Sequence, residues 1–249
     1  MFRHQGKSRT HKHNLRIATV LSFVAGIVNV TGFLSFRELT TNVTGHFAFF
    51  VKDVADFEVW KGAVYLLYIF CFLLGSFTSS FLIEKFRESK RLNVFVLPTG
   101  IESLILILVP VLGNLFPTEN SYLIVCALLF AMGLQNSFVT KISNAVVRTT
   151  HLTGLFTDLG IEISQLFFPK NHPDQAKIRS TIRLRVFIIS FFFLGGLLGG
   201  YCFSRLGLGL DTLLIGAAIL VLSLFYDDLR FRLIKSHRRY KQGKAAFEN

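Results

Sequence analysis

Apolar residues in this chain come in six long runs, at about 17–36, 62–83, 93–116, 121–140, 184–203 and 210–226, separated by short polar stretches. A helix crossing a bilayer core about 30 Å thick needs about 20 such residues at about 1.5 Å each. The pattern predicts an all-α, polytopic transmembrane helical bundle of six spans. Two further apolar patches are too short to cross. One follows Thr41-Asn42-Val43-Thr44-Gly45-His46 and is closed by Lys52, Asp53, Asp56 and Glu58; the other follows Thr150-His151-Leu152-Thr153-Gly154 and covers about 155–168. Both read as re-entrant or broken helical elements, which a bilayer tolerates only where protein or a water-filled cavity satisfies the backbone.

The order of motifs suggests duplication. Gly26-x-x-Asn29 answers to Gly133-x-x-Asn136, Thr41-x-x-Thr44-Gly45 to Thr150-x-x-Thr153-Gly154, and Gly75-x-x-x-Ser79 to Gly195-x-x-x-Gly199. The 249 residues then form one membrane domain of two repeats, 15–118 and 119–228, with a basic tail at 229–249. Three spans per repeat would invert the second against the first.

Composition and charge fit this picture. The chain is 51% hydrophobic with 28 Phe and only 17% charged residues, against about 25% charged in soluble domains. The net charge of +12 sits between and beyond the runs. Placing both termini in the cytoplasm puts 23 of the 27 Lys and Arg residues on that side and leaves Arg37, Lys52, Lys61 and Arg205 outside, as the positive-inside rule requires. So little chain remains for a soluble groove that nucleic acid is excluded as a partner. The bilayer is the expected partner, with a small solute or ion as the cargo; no oligomeric state is specified. Cys71, Cys126 and Cys202 lie inside apolar runs at spacings that suit neither a disulfide framework nor a zinc site.

The string Ala131-Met132-Gly133-Leu134-Gln135-Asn136, with Gly-x-x-Asn in the first span and Thr-Gly after both first helices of the repeats, resembles the YoaK-like family of bacterial inner-membrane proteins, defined by a domain of unknown function. The resemblance covers about 15–228, with His46 where an Asn is more typical. It implies about six spans and a bacterial inner-membrane location, and carries over no catalytic or ligand residue.

Candidate chemistry follows from polar residues at membrane depth. Glu102 is an ionisable group inside the third span, unless that helix starts late after Pro98 and leaves it near an end; an intramembrane carboxylate marks a solute or proton path by default. Asn29 and Asn136, with Gln135, hold matching mid-span places and serve either a solute or interhelical hydrogen bonds. Thr44, Gly45, His46, His151, Thr153 and Gly154 precede the two broken helices, whose N-terminal amides suit an anion; the threonines alternatively cap those helices. No nucleophile elbow, His-Glu-x-x-His helix or close His/Cys cluster is present. The expected function is a small-solute secondary transporter or permease with its site between the repeats, without metal, cofactor or catalytic residues. The alternative is a non-transporting protein that binds lipid or a partner through its basic cytoplasmic face.

Overall fold

The structure, a computed structural model, describes residues 11–87, 95–115, 121–143, 145–170 and 173–226. The basic tail at 229–249, most of the N-terminal basic segment and the end of the 84–91 loop lie outside the described residues. Among the described residues eight α-helices follow one another: α1 (His11–Phe36), α2 (Thr44–Ala55), α3 (Val59–Lys85), α4 (Val96–Leu115), α5 (Ser121–Ile142), α6 (Leu152–Leu166), α7 (Gln175–Ser204) and, after a 3₁₀ turn at Gly209–Asp211, α8 (212–226). Six are long and apolar enough to cross a membrane, namely α1, α3, α4, α5, α7 and the final segment Gly209–Tyr226. Among the described residues there is no strand.

The boundaries match the apolar runs to within about three residues except at two helix starts, the first being α1, already helical at His11 where the run begins at 17. The fifth span is expected from 184, whereas α7 begins at Gln175. Asp174 caps it, its carboxylate accepting the Lys177 amide at 3.1 Å. Lys177, Arg179 and Arg183 are good helix formers, so the basic segment continues the helix instead of interrupting it.

Glycine sets the central packing. α1 lies against α7 and α3 against α5, the two largest interfaces of the fold. A methyl group added to Gly26 would overlap the Phe192 carbonyl, and one on Gly195 the Phe23 carbonyl. The α3/α5 pair repeats this: Gly75 meets the Phe130 carbonyl and Gly133 the Phe72 carbonyl, with the Ser76 hydroxyl donating to the Gly133 carbonyl at 3.1 Å. Small residues let the backbones touch, as helices must in lipid, where no hydrophobic force drives them together. Ile17, Leu21, Val24 and Val28 of α1 and Leu128, Met132 and Phe138 of α5 are buried with Leu106 of α4 and Leu213 and Ala217 of α8 in one core. The outward faces are as apolar as the core: Phe70, Leu73, Phe77 and Phe81 on α3 and Phe193, Leu197 and Tyr201 on α7 stay exposed, the surface that lipid covers.

Both short helices follow a fold-back. α1 ends at Phe36 and α5 at Ile142, and each is followed by a residue in the left-handed region, Arg37 (φ 61°) and Ala145 (φ 62°). The chain then returns along its own helix. Thr40 donates to the Val28 carbonyl at 3.1 Å, which lies two turns, about 12 Å, before the end of α1. α2 then runs back on α3, with Phe50 and Val54 against Gly62, and α6 runs back on α7, with Glu162 on Arg185. These are the two re-entrant elements expected from the sequence.

Alanine at Gly133 should lower the thermal midpoint in detergent micelles by the equivalent of about 1–3 kcal/mol, because the Phe72 carbonyl cannot yield as a flexible side chain would. Gly160 on α6 faces open space, so Gly160→Ala should be neutral or stabilising by up to about 1 kcal/mol in the same measurement.

Candidate functional site

Three polar places are built on this frame. The first is the pair of fold-back turns. The Thr41 hydroxyl donates to Asn29 Oδ1 at 2.7 Å and the Thr150 hydroxyl to Asn136 Oδ1 at 2.9 Å. Asn136 also donates to the Met132 carbonyl at 2.9 Å. Gln135, fully buried, donates through Nε2 to the Leu21 carbonyl of α1 at 3.1 Å and to the Thr149 hydroxyl at 3.0 Å. Each asparagine therefore clamps the turn that follows its own helix. The hydrogen bonds of Asn29 and Asn136 stay inside their own motifs, because the returning chain delivers a threonine to each.

The threonines of the Thr-Gly motifs do not cap the short helices. The N-cap positions are Val43 for α2 and His151 for α6, neither with a side-chain cap bond. Thr44 and Thr153 are exposed, and in the first motif Asn42 Oδ1 accepts the Gly45 amide at 3.2 Å. Nor do the two Thr-Gly turns share an interface: α2 packs on α3 and α6 on α7.

The second place is the centre of the bundle. On α4, Pro98, Thr99, Glu102, Ser103, Leu106, Val109, Pro110 and Gly113 form one buried stripe, so Glu102 sits inside the helix and not at its end. Thr99 and Ser103 satisfy their hydroxyls on carbonyls one turn back, at 2.9 and 2.8 Å. Glu102 is fully buried and neither carboxyl oxygen has a partner. Gly113 of α4 faces Ile124 of the antiparallel α5. About eleven residues from that contact, on helices of equal rise, stand Glu102 on α4 and Gln135 on α5. They therefore share one depth, and Gln135 Oε1 is likewise buried and unpartnered.

The third place is a cavity of about 340 Å³ between the 145–151 turn, α6 and α7, lined by Arg148, His151, Gly154, Asp158, Thr181 and Arg185. Arg185 holds Glu162 through two bonds, Nε to Oε2 at 2.9 Å and Nη2 to Oε1 at 3.0 Å, and meets Asp158 at 3.1 Å. The His151 ring covers Gly154, where a Cβ would collide with it.

His46 belongs to none of these. It is fully buried at the α2/α3 contact, edge-on to Tyr68 with ring centres 5.2 Å apart, far along the fold from the His151 cavity. Its neighbours Glu38, Tyr65 and Tyr68 escaped sequence reasoning, since Glu38 reads as the charge that ends a span. The usable signal was the Tyr65-x-x-Tyr68 spacing, one helix face, in an otherwise aliphatic and phenylalanine-rich run. Among the described residues no group of three or more His, Cys, Asp or Glu could hold a metal, and Cys71, Cys126 and Cys202 are free thiols.

A Thr150→Val substitution should cost about 1 kcal/mol, the scale of hydrogen bonds between membrane helices. A double-mutant cycle with Asn136→Ala, read by unfolding in micelles, should return most of that as coupling; purely additive effects would show that the bond contributes nothing.

No curated protein and no solved structure matches this chain. A family model, described as a protein of unknown function (DUF1275), matches residues 17–226, from the first buried turn of α1 to the end of α8. The chain belongs to this family, the one that includes YoaK.

Proposed function

We propose that this chain is a small-solute permease of the bacterial inner membrane, a carrier and not an enzyme, made of two inverted three-span repeats with both termini in the cytoplasm. The observation that carries the reading is Glu102, a carboxyl at the heart of a membrane bundle with neither oxygen partnered. Burying such a group costs several kcal/mol and persists where a path for solute or protons uses it. Gln135 adds an open carbonyl oxygen at the same depth.

The repeat supports this reading. Gly26 and Gly133 take the same part in their interfaces, as do Gly75 and Gly195. Asn29 with Thr41 and Asn136 with Thr150 make the same bond, and a left-handed residue, Arg37 or Ala145, lies between each helix and its threonine. In inverted-repeat transporters broken helices line the route to a midplane site. Here α6 starts beside a polar cavity with Arg148 and Arg185 on its wall, which suits access from the side where the basic residues gather.

The test is charge movement on solid-supported membranes bearing proteoliposomes of the chain, across a panel of small anions, cations and neutral solutes. Wild type should respond to at least one class. Glu102→Gln should cut the initial response by about tenfold or more, equivalent to about 1.4 kcal/mol, with insertion and thermal midpoint retained. Unchanged responses in both Glu102→Gln and Asn136→Ala would sink the site assignment.

A further inference from the structure

A second unpaired polar site lies at the other re-entrant element, where the turn 37–43 meets α2 and α3. His46 Nε2 stands 2.7 Å from the Leu39 carbonyl. A carbonyl only accepts, so Nε2 carries the hydrogen and, in a neutral ring, Nδ1 is left with its lone pair. Nδ1 faces Glu38 Oε2 at 3.9 Å. Both atoms are buried, and neither has any other partner. The His46 side chain is wholly buried, while that of Glu38 keeps 19% of its surface exposed. Two acceptors thus confront each other in a place where an unmade bond is expensive, and only another part of the Glu38 side chain reaches the surface.

We infer that Glu38 and His46 form a proton-binding pair, holding one proton between Oε2 and Nδ1 and exchanging it with the aqueous phase through the exposed edge of Glu38. A closure of about 1 Å brings the two atoms to hydrogen-bond distance. The loaded pair ties the turn to α2; the empty pair leaves an anion facing a lone pair.

The surroundings favour the loaded, neutral form. Burial pushes the Glu38 carboxyl above its ordinary range, helped by the nearby Asp53 carboxylate and opposed by a hydrogen bond from the Tyr65 hydroxyl. Burial also pushes the His46 imidazole down, against the Leu39 carbonyl bond. Both directions put the proton on the carboxyl side. The other groups facing the pair are Tyr68 from α3, with the Cys126 thiol of α5 behind it, and Asp53 on α2, whose charge is met by Lys52 at 3.4 Å. Arg37 precedes Glu38 in the chain and is exposed.

Sign and site can both be tested on ¹⁵N-histidine-labelled protein in nanodiscs, with the His46 resonances assigned by their loss in His46→Gln. The Nδ1 shift of wild type should show a pH step on the alkaline side of the ordinary carboxylate range, where Glu38 releases its proton. Glu38→Gln should abolish that step. Tyr65→Phe removes the hydrogen bond that favours the carboxylate, so it should move the step up by about one pH unit. The same pH curve in wild type and Glu38→Gln overturns the pair. Should Glu38→Gln fail to fold, an unmoved step in Tyr65→Phe does so. The readout needs no transport, so its failure is distinct from failure of the permease reading.

Discussion

Hydrocarbon offers no hydrogen bonds, and a chain that turns round inside it must find them on its own helices. This requirement organises the fold. After α1 the returning residues spend Thr40 on the Val28 carbonyl and Thr41 on Asn29. After α5 they place Thr149 under Gln135 and Thr150 on Asn136. The asparagines, read from the sequence as serving a solute or an interhelical hydrogen bond, hold the turns that precede the two short helices. Remove that satisfaction and the turns would have to withdraw to water, taking α2 and α6 with them.

The two turns are solved differently in one respect. Val28 contributes a backbone carbonyl where Gln135 contributes a side chain that also reaches across to the Leu21 carbonyl of α1. The second turn is thereby tied to the first helix, and one amide oxygen of Gln135 is left over, at the depth of Glu102. Among the described residues, the buried unpartnered carboxyl and amide oxygens of the centre therefore lie on α4 and α5. At the first turn the unpartnered atoms sit further along, on Glu38 and His46.

Much of this was legible in the residues, and the failures have physical causes. The spans were readable because length and apolarity are dictated by the bilayer and by nothing else, and Gly26, Gly75, Gly133 and Gly195 stood out because close packing in lipid admits little else. Glu102 was readable as a buried charge because Pro98 starts a helix as readily as it breaks one. The start of α7 was not, since lysine and arginine suit a helix end and a loop equally well. The partners of Asn29 and Asn136 were not, because a bond to a residue 12 or 14 positions later needs the fold-back that sequence periodicity does not express. Glu38 and His46 are joined by the same fold-back, so neither could be read as half of a pair.

The glycine contacts have a topological consequence. The tightest backbone approaches join α1 to α7 and α3 to α5, helices drawn from opposite halves of the chain, while α6 rides on α7 and α2 on α3. The packed groups are therefore mixed: α1 and α6 both lie on α7, and α5 and α2 both lie on α3. The seam between those two groups, crossed where Gln135 reaches the Leu21 carbonyl of α1, therefore does not coincide with the boundary between the N-terminal and C-terminal halves of the chain.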